Sequence, residues 1–117
     1  MSRPKLYGIS NCDSVRAAKK WLTANDIEFD YIDFRKDGMT QVDLAAWNKS
    51  AGLAVLLNKR GTTWRKLAES QQAFTTDEQG LALLKSEPTL IKRPVLEANG
   101  EVTVGFKEAL YAQMFNA

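Results

Sequence analysis

Cys12 is the single cysteine of the 117-residue chain, and the chain contains no histidine. It stands in "KLYGISNCDSVR", residues 5–16, between a short apolar run and the start of a helical pattern. The first N–H groups of a helix lack intrahelical partners and carry partial positive charge, which favours a thiolate or an oxyanion beside them. Arg16 follows one turn later on the same face. Helical side chains lean toward the N-terminus, so its guanidinium could reach back toward the sulfur. Asp13 opposes this with a negative charge next door. Without histidine, such a thiol must rely on arginine, lysine and backbone dipoles. Two readings stand on these residues alone: a reactive thiol at a helix start, or a small side chain closing a corner.

Two further groups of residues could bind anions. Lys92-Arg93-Pro94 precedes an apolar run, and a proline that cannot donate to a sheet belongs at the first residue of a strand. Arg93 there offers a planar fork for a carboxylate or phosphate, or is simply part of an exposed basic loop. The segment "NKRGTTWRK", residues 58–66, sets Trp64 among basic side chains. A solvated helix flank with one buried tryptophan explains it more economically than a nucleic-acid patch.

The elements that must position these residues are legible in part. Residues 5–9 read as a strand, and Val15, Ala18, Trp21 and Leu22 recur at helical spacing over 13–24. Residues 28–34, "EFDYIDF", form a second strand candidate. Thr40 with Asp43 predicts a capping box for a helix from about Gln41 to Ala51 that buries Leu44 and Trp47 and ends at Gly52. Residues 53–74 are ambiguous, since "LAVLLNKR" suits a helix or a buried strand and Gly61 breaks either. Thr75 and Thr76, with Asp77 and Glu78, announce a helix over 76–86 that Pro88 stops. Asn99-Gly100 between apolar runs predicts a hairpin, and "KEALYAQMF" a closing helix. A parallel β-α-β pair plus an antiparallel hairpin gives an α/β fold with a thioredoxin-like four-stranded mixed sheet. The expectation is one such domain over 1–117 with a helical insertion at about 40–90.

Bulk properties bound the function class. A net charge of +2, with 44% apolar and 26% charged residues, is ordinary for a globular domain and gives no reason to expect nucleic acid as a partner. No apolar run approaches the roughly 20 residues of a membrane span, nor does the start of the chain read as a signal peptide. A lone cysteine forms no internal disulfide, so the cytoplasm is the expected compartment. No metal-ligand spacing and no motif for a bound organic cofactor is present.

Taken together, "LYGISNCDSVRAAKKWL", "LLNKRGTTWRKL" and "LIKRPVLEANGEVTVGFKEA" resemble the arsenate reductase-like family of thioredoxin fold. That family comprises glutathione-coupled arsenate reductases, Spx transcription regulators and the YffB group, and the likeness is greatest to the last. Cys12 with Arg16 matches its Cys-x-x-x-Arg, and "LIKRP" its arginine-proline signature. The resemblance implies that Cys12 is the nucleophile, that Arg16, Arg60, Arg93 and Lys107 bind substrate or glutathione, and that Pro94 shapes the site as a cis proline. Four departures matter. Gly8 stands where the arsenate reductases have an activating histidine, Asn58 where they have an arginine, Lys107 where they have a further anion-binding arginine, and Val15 where Spx has its second cysteine; Arg60 resembles the arginine of the Spx-like branch. The expected function is a glutathione-dependent thiol/disulfide reductase. Its co-substrate would be glutathione, acting on an unidentified oxidised or oxyanion substrate. The alternatives are an Spx-like partner of RNA polymerase and an arsenate reductase using the same cysteine.

Overall fold

Two short strands in the first third of the chain pair in a sheet, and the first of them, an inner strand, leads directly to the cysteine. The computed structural model describes residues 3–10, 12–40 and 42–116. Strand β1 (Lys5–Gly8) buries Leu6, Tyr7 and Gly8, and pairs in parallel with β2 (Asp30–Asp33), Gly8 lying opposite Asp33. Helix α1 (Asp13–Ala24) joins them, spanning the range that its apolar spacing predicts, with Val15, Ala18 and Leu22 buried. The ladder runs past β2, since Phe34 N–H donates to the Gly8 carbonyl at 2.9 Å.

On the other side of β1 runs β3 (Val95–Ala98), antiparallel, followed by β4 (Glu101–Val104). The hairpin between them turns at Asn99 and Gly100, both with positive φ, as a two-residue primed turn requires. The sheet order is β2-β1-β3-β4, a mixed four-stranded sheet of thioredoxin type. With the central strand parallel to one neighbour and antiparallel to the other, the C-terminal ends of β1, β2 and β4 and the start of β3 share one end of the sheet. The last helix of this unit, which runs Glu108–Phe115, packs Tyr111 with Leu6, Ala18, Leu22 and Leu96 into one core. Fully burying a leucine there contributes about 2 kcal/mol.

The chain divides into two compact units: Met1–Gly38 with Arg93–Ala117, which carries the sheet, and Met39–Lys92, which is helical. In the helical unit, α2 (Leu44–Ala51) starts later than the sequence predicts. Asp43 is its cap, accepting from Ala46 N at 3.0 Å, so the expected capping box at Thr40 is not the one used. The shorter Asp side chain caps well by itself but cannot reach back as Glu does from the third helical position. Gln41, the expected first residue of that helix, lies outside the described residues. Trp47 is buried as expected, Leu44 only half-buried, and Gly52 ends the helix with φ 91°.

The ambiguous stretch is both of the things it resembles. Leu53–Leu56 forms a short helix, α3, and Leu57 then makes an antiparallel bridge to Ile91. Gly61 precedes the helix α4 (Thr62–Lys66), and a further turn, α5, covers Glu69–Gln72. Helix α6 (Asp77–Ser86) is capped by Thr76, which accepts from Gln79 N at 3.2 Å, and Pro88–Leu90 makes a 3₁₀ turn after it. The helix Glu108–Phe115 is α7 in this order.

Candidate functional site

Cys12 is the N-cap residue of α1 and is half-buried. Its backbone is extended, with φ −120° and ψ 124°, and its carbonyl accepts the first helical bond from Arg16 N at 3.0 Å. Its side chain makes no capping hydrogen bond. The thiol stands beside the first turn, whose N–H groups have no intrahelical acceptor.

Arg16 lies one turn on, but its guanidinium is bonded to the Asp13 carboxylate, with both side chains exposed at 61% and 95%. Such a pair is worth little and is easily exchanged for another anion. Asp13 thus competes for Arg16 directly, in addition to the charge it sets beside the thiol.

Strand register brings three more of the sequence-derived residues to the cysteine-bearing end of the sheet. Tyr7 pairs with Val95, so Arg93 and Pro94, just before β3, lie at the end of β1 from which the Cys12 loop departs. The Arg93–Pro94 peptide is cis. Pro94 is buried, and its carbonyl accepts from Gly105 N at 2.8 Å, holding the β4 exit against it. Lys107 follows that exit as the exposed N-cap of α7. Arg60 belongs to the helical unit, where it is exposed and its N–H donates to the Asn58 side chain at 3.0 Å. In the same segment Trp64 is half-buried with Lys59 Nζ 5.4 Å from its ring centroid.

The structure adds residues that motif reading passed over. Asp33, only 3% exposed, is the buried charged side chain among the described residues. Its Oδ2 accepts from Ser10 Oγ at 2.7 Å and Ser10 N at 3.1 Å, and its Oδ1 from Arg35 N at 2.8 Å and Lys36 N at 3.1 Å. Burial by itself would raise its pKa, yet these four bonds outweigh it and bring the carboxyl down to about 2. The Tyr31 hydroxyl lies 3.5 Å from the same Oδ2, the outer limit of a hydrogen bond. Lys19 of α1 sits over the Tyr31 ring, 3.5 Å from its centroid. Burial, then the Asp33 charge, pushes the Tyr31 phenol up; the Ser10 hydroxyl pulls the other way, and charge on the Cys12 sulfur adds to the rise. The sequence signal for Asp33 was present in "DFRKDG", an aspartate followed by the two N–H groups it caps. Nothing local signals Ser10 as its partner.

Gly8 explains how closely α1 approaches β1. A Cβ at this position would lie 2.6 Å from Val15 Cγ2, closer than packing allows. Gly8 and Val15, two of the positions at which the family resemblance implies other residues, are thus neighbours.

Residues 7–114 match the ArsC family. The chain belongs to that family. An uncharacterized protein of Haemophilus influenzae is 41% identical over 110 residues, covering 94% of this chain and 96% of its own. The solved structure of the YFFB protein superposes with a TM-score of 0.89 at 38% identity, covering 94% of this chain and 96% of its own. Global transcriptional regulator Spx 1 of Lactococcus lactis is 28% identical over 105 residues, 88% of this chain and 81% of its own. As an ArsC-family member the chain carries its cysteine on the β1–α1 loop and its arginine-proline pair at the start of β3. Among the described residues no helix is long and apolar enough to cross a membrane, and no group of three or more His, Cys, Asp or Glu side chains could hold a metal ion.

Proposed function

We propose that the protein is a glutathione-dependent thiol/disulfide reductase with Cys12 as its nucleophile. The observation that carries this reading is the placement of the chain's one thiol at the head of α1, on the same sheet end as the cis Arg93–Pro94 peptide and Lys107. In the first step the Cys12 thiolate attacks the glutathionyl sulfur of a mixed disulfide. A Cys12–glutathione disulfide forms, the substrate sulfur leaves as a thiolate, and solvent protonates it. With no second cysteine to resolve this bond, a glutathione thiolate attacks its glutathionyl sulfur. Oxidised glutathione departs and the Cys12 thiolate is restored. The net exchange consumes one glutathione thiol, whose sulfur enters oxidised glutathione as the substrate sulfur is reduced to a thiol.

Glutathione carries two carboxylates, and Arg16, Arg93 and Lys107 are the cations this reading assigns to them, Arg16 exchanging Asp13 for the ligand. Arg60 stands in the set on the family resemblance alone. Arsenate reduction has less support, because Gly8 and Asn58 occupy the positions of the reductases' histidine and arginine. A second reading, regulation of transcription through RNA polymerase, is favoured by the relative named as a global transcriptional regulator.

Intact-mass analysis after incubation with oxidised glutathione tests the proposal. One glutathione adduct, mapped to Cys12 by peptide fragmentation and removed by added glutathione, is expected; Cys12→Ser should take none. A wild-type protein that stays unmodified at millimolar oxidised glutathione would sink the reductase reading. Co-purification with RNA polymerase that survives Cys12→Ser would favour the second.

A further inference from the structure

Asp33 and Ser10 have no part in the electron transfer described above, yet the structure ties them to its cysteine. We infer that Asp33 is a positioning residue for Cys12: its buried carboxylate grips Ser10 and so holds the thiol at the head of α1. The two oxygens of the carboxylate divide the work. Oδ1 accepts from Arg35 N and Lys36 N, both within its own turn, which is local capping that any aspartate at this position would perform. Oδ2 takes both donors of Ser10, a residue 23 positions away in sequence. That second pair is not needed to make the turn after β2. It fastens the β1–α1 loop to the end of β2.

The loop is held on both sides of the sulfur as a result. Ser10 is fixed by Asp33, and the Cys12 carbonyl is committed to Arg16 N as the first bond of α1. One residue separates the two anchors. Ser10 itself is exposed, so without Asp33 its backbone and hydroxyl would turn to water and the loop would gain freedom. The cost of burying a carboxylate is warranted only when every acceptor site is used, and here four donors fill them. Tyr31 lies against the same Oδ2, its ring held by Lys19 of the helix that Cys12 begins, so the cluster touches α1 as well as the loop. A loop released from this grip lets the Cys12 backbone, and the thiol with it, leave its place ahead of the first turn of α1. Its reaction with electrophiles then slows.

The inference rests on reading Cys12 as a working thiol, but its test needs neither glutathione nor a substrate, so the two fail separately. Alkylation of the full chain by iodoacetamide at neutral pH would be followed by intact mass, with folding checked by circular dichroism. Ser10→Ala removes the hydroxyl bond and keeps the Asp33 charge; it should slow alkylation about fivefold. Ser10→Thr restores the hydroxyl and should return the rate to within about twofold of wild type. Asp33→Asn should slow it about tenfold, in keeping with what displacing a reacting group costs. A Ser10→Ala rate at or above wild type overturns the inference, as does a slow Ser10→Ala that Ser10→Thr fails to rescue. A folded Asp33→Asn that reacts at the wild-type rate also overturns it. If Asp33→Asn does not fold, the Ser10 pair decides alone.

Discussion

Asp33 and Tyr111 both bury oxygen atoms in the sheet-bearing unit, one at the cysteine end of the sheet and the other in the aromatic layer of α1 and α7. Around Asp33 every acceptor site is used, and its carboxyl is held ionised. Around Tyr111 the ring is fully buried, edge-on to Phe106 at 4.9 Å and to Trp21 at 5.7 Å between centroids. Its hydroxyl has no hydrogen-bond partner among the described residues, and burial pushes the phenol up. The first region spends burial on fixing one geometry beside a thiol. The second gains most of its stability from contact area and edge-to-face packing, and tolerates an unmade bond. Of these two buried oxygens, the one whose bonds are made lies at the cysteine-bearing end of the sheet.

The largest test of this contrast is Asp33→Ala. It removes four hydrogen bonds to a charged group, whose exposed donors on Ser10, Arg35 and Lys36 then turn to water, and should cost about 3 kcal/mol in urea unfolding. A cost below about 1 kcal/mol would erase the distinction between the two regions. Gly8→Ala comes next, at about 1–3 kcal/mol, because the new Cβ meets the stiff Val15 side chain at 2.6 Å. Combining it with Val15→Ala should recover part of that loss, and simple additivity in the double mutant would contradict the steric account.

Acid titration gives a third measure. The Asp33 pKa is depressed in the folded state, so its contribution is fully present above the ordinary carboxyl value and is lost as pH falls through the folded one. Stability should drop by about 2 kcal/mol between roughly pH 4 and pH 2 on this account. Asp33→Asn should remove that part of the slope; an unchanged slope would assign it to other carboxyls. The smallest effect is expected at Tyr111. Removing a hydroxyl that makes no bond, Tyr111→Phe should leave the melting temperature unchanged or raise it slightly. A loss above about 1 kcal/mol would reveal a partner for the hydroxyl.

Local patterns carried well where one physical cause governs an element. The apolar spacing of Val15, Ala18 and Leu22 marks α1, and Asn99-Gly100 marks the hairpin turn, because helical periodicity and positive φ are written in residue type. Residues 53–74 resisted because short apolar runs such as "LAVLL" suit either state, and a distant partner decides between them. Here Ile91 does so by bridging Leu57. The start of α2 slipped from Gln41 to Leu44 because Thr40 and Asp43 are both acceptable caps by type.

By itself, the sequence determined that one thiol, with no histidine and no second cysteine in the chain, stands at the start of a helix. The nature of the side chains settles that much. Tertiary structure decided which polar groups surround the thiol. Gly8 comes opposite Asp33 only when β1 and β2 pair in parallel, and Ser10 then falls within 2.7 Å of a carboxylate 23 residues away. Strand register is a long-range property, set by which faces are buried together, and no local window of the chain contains it.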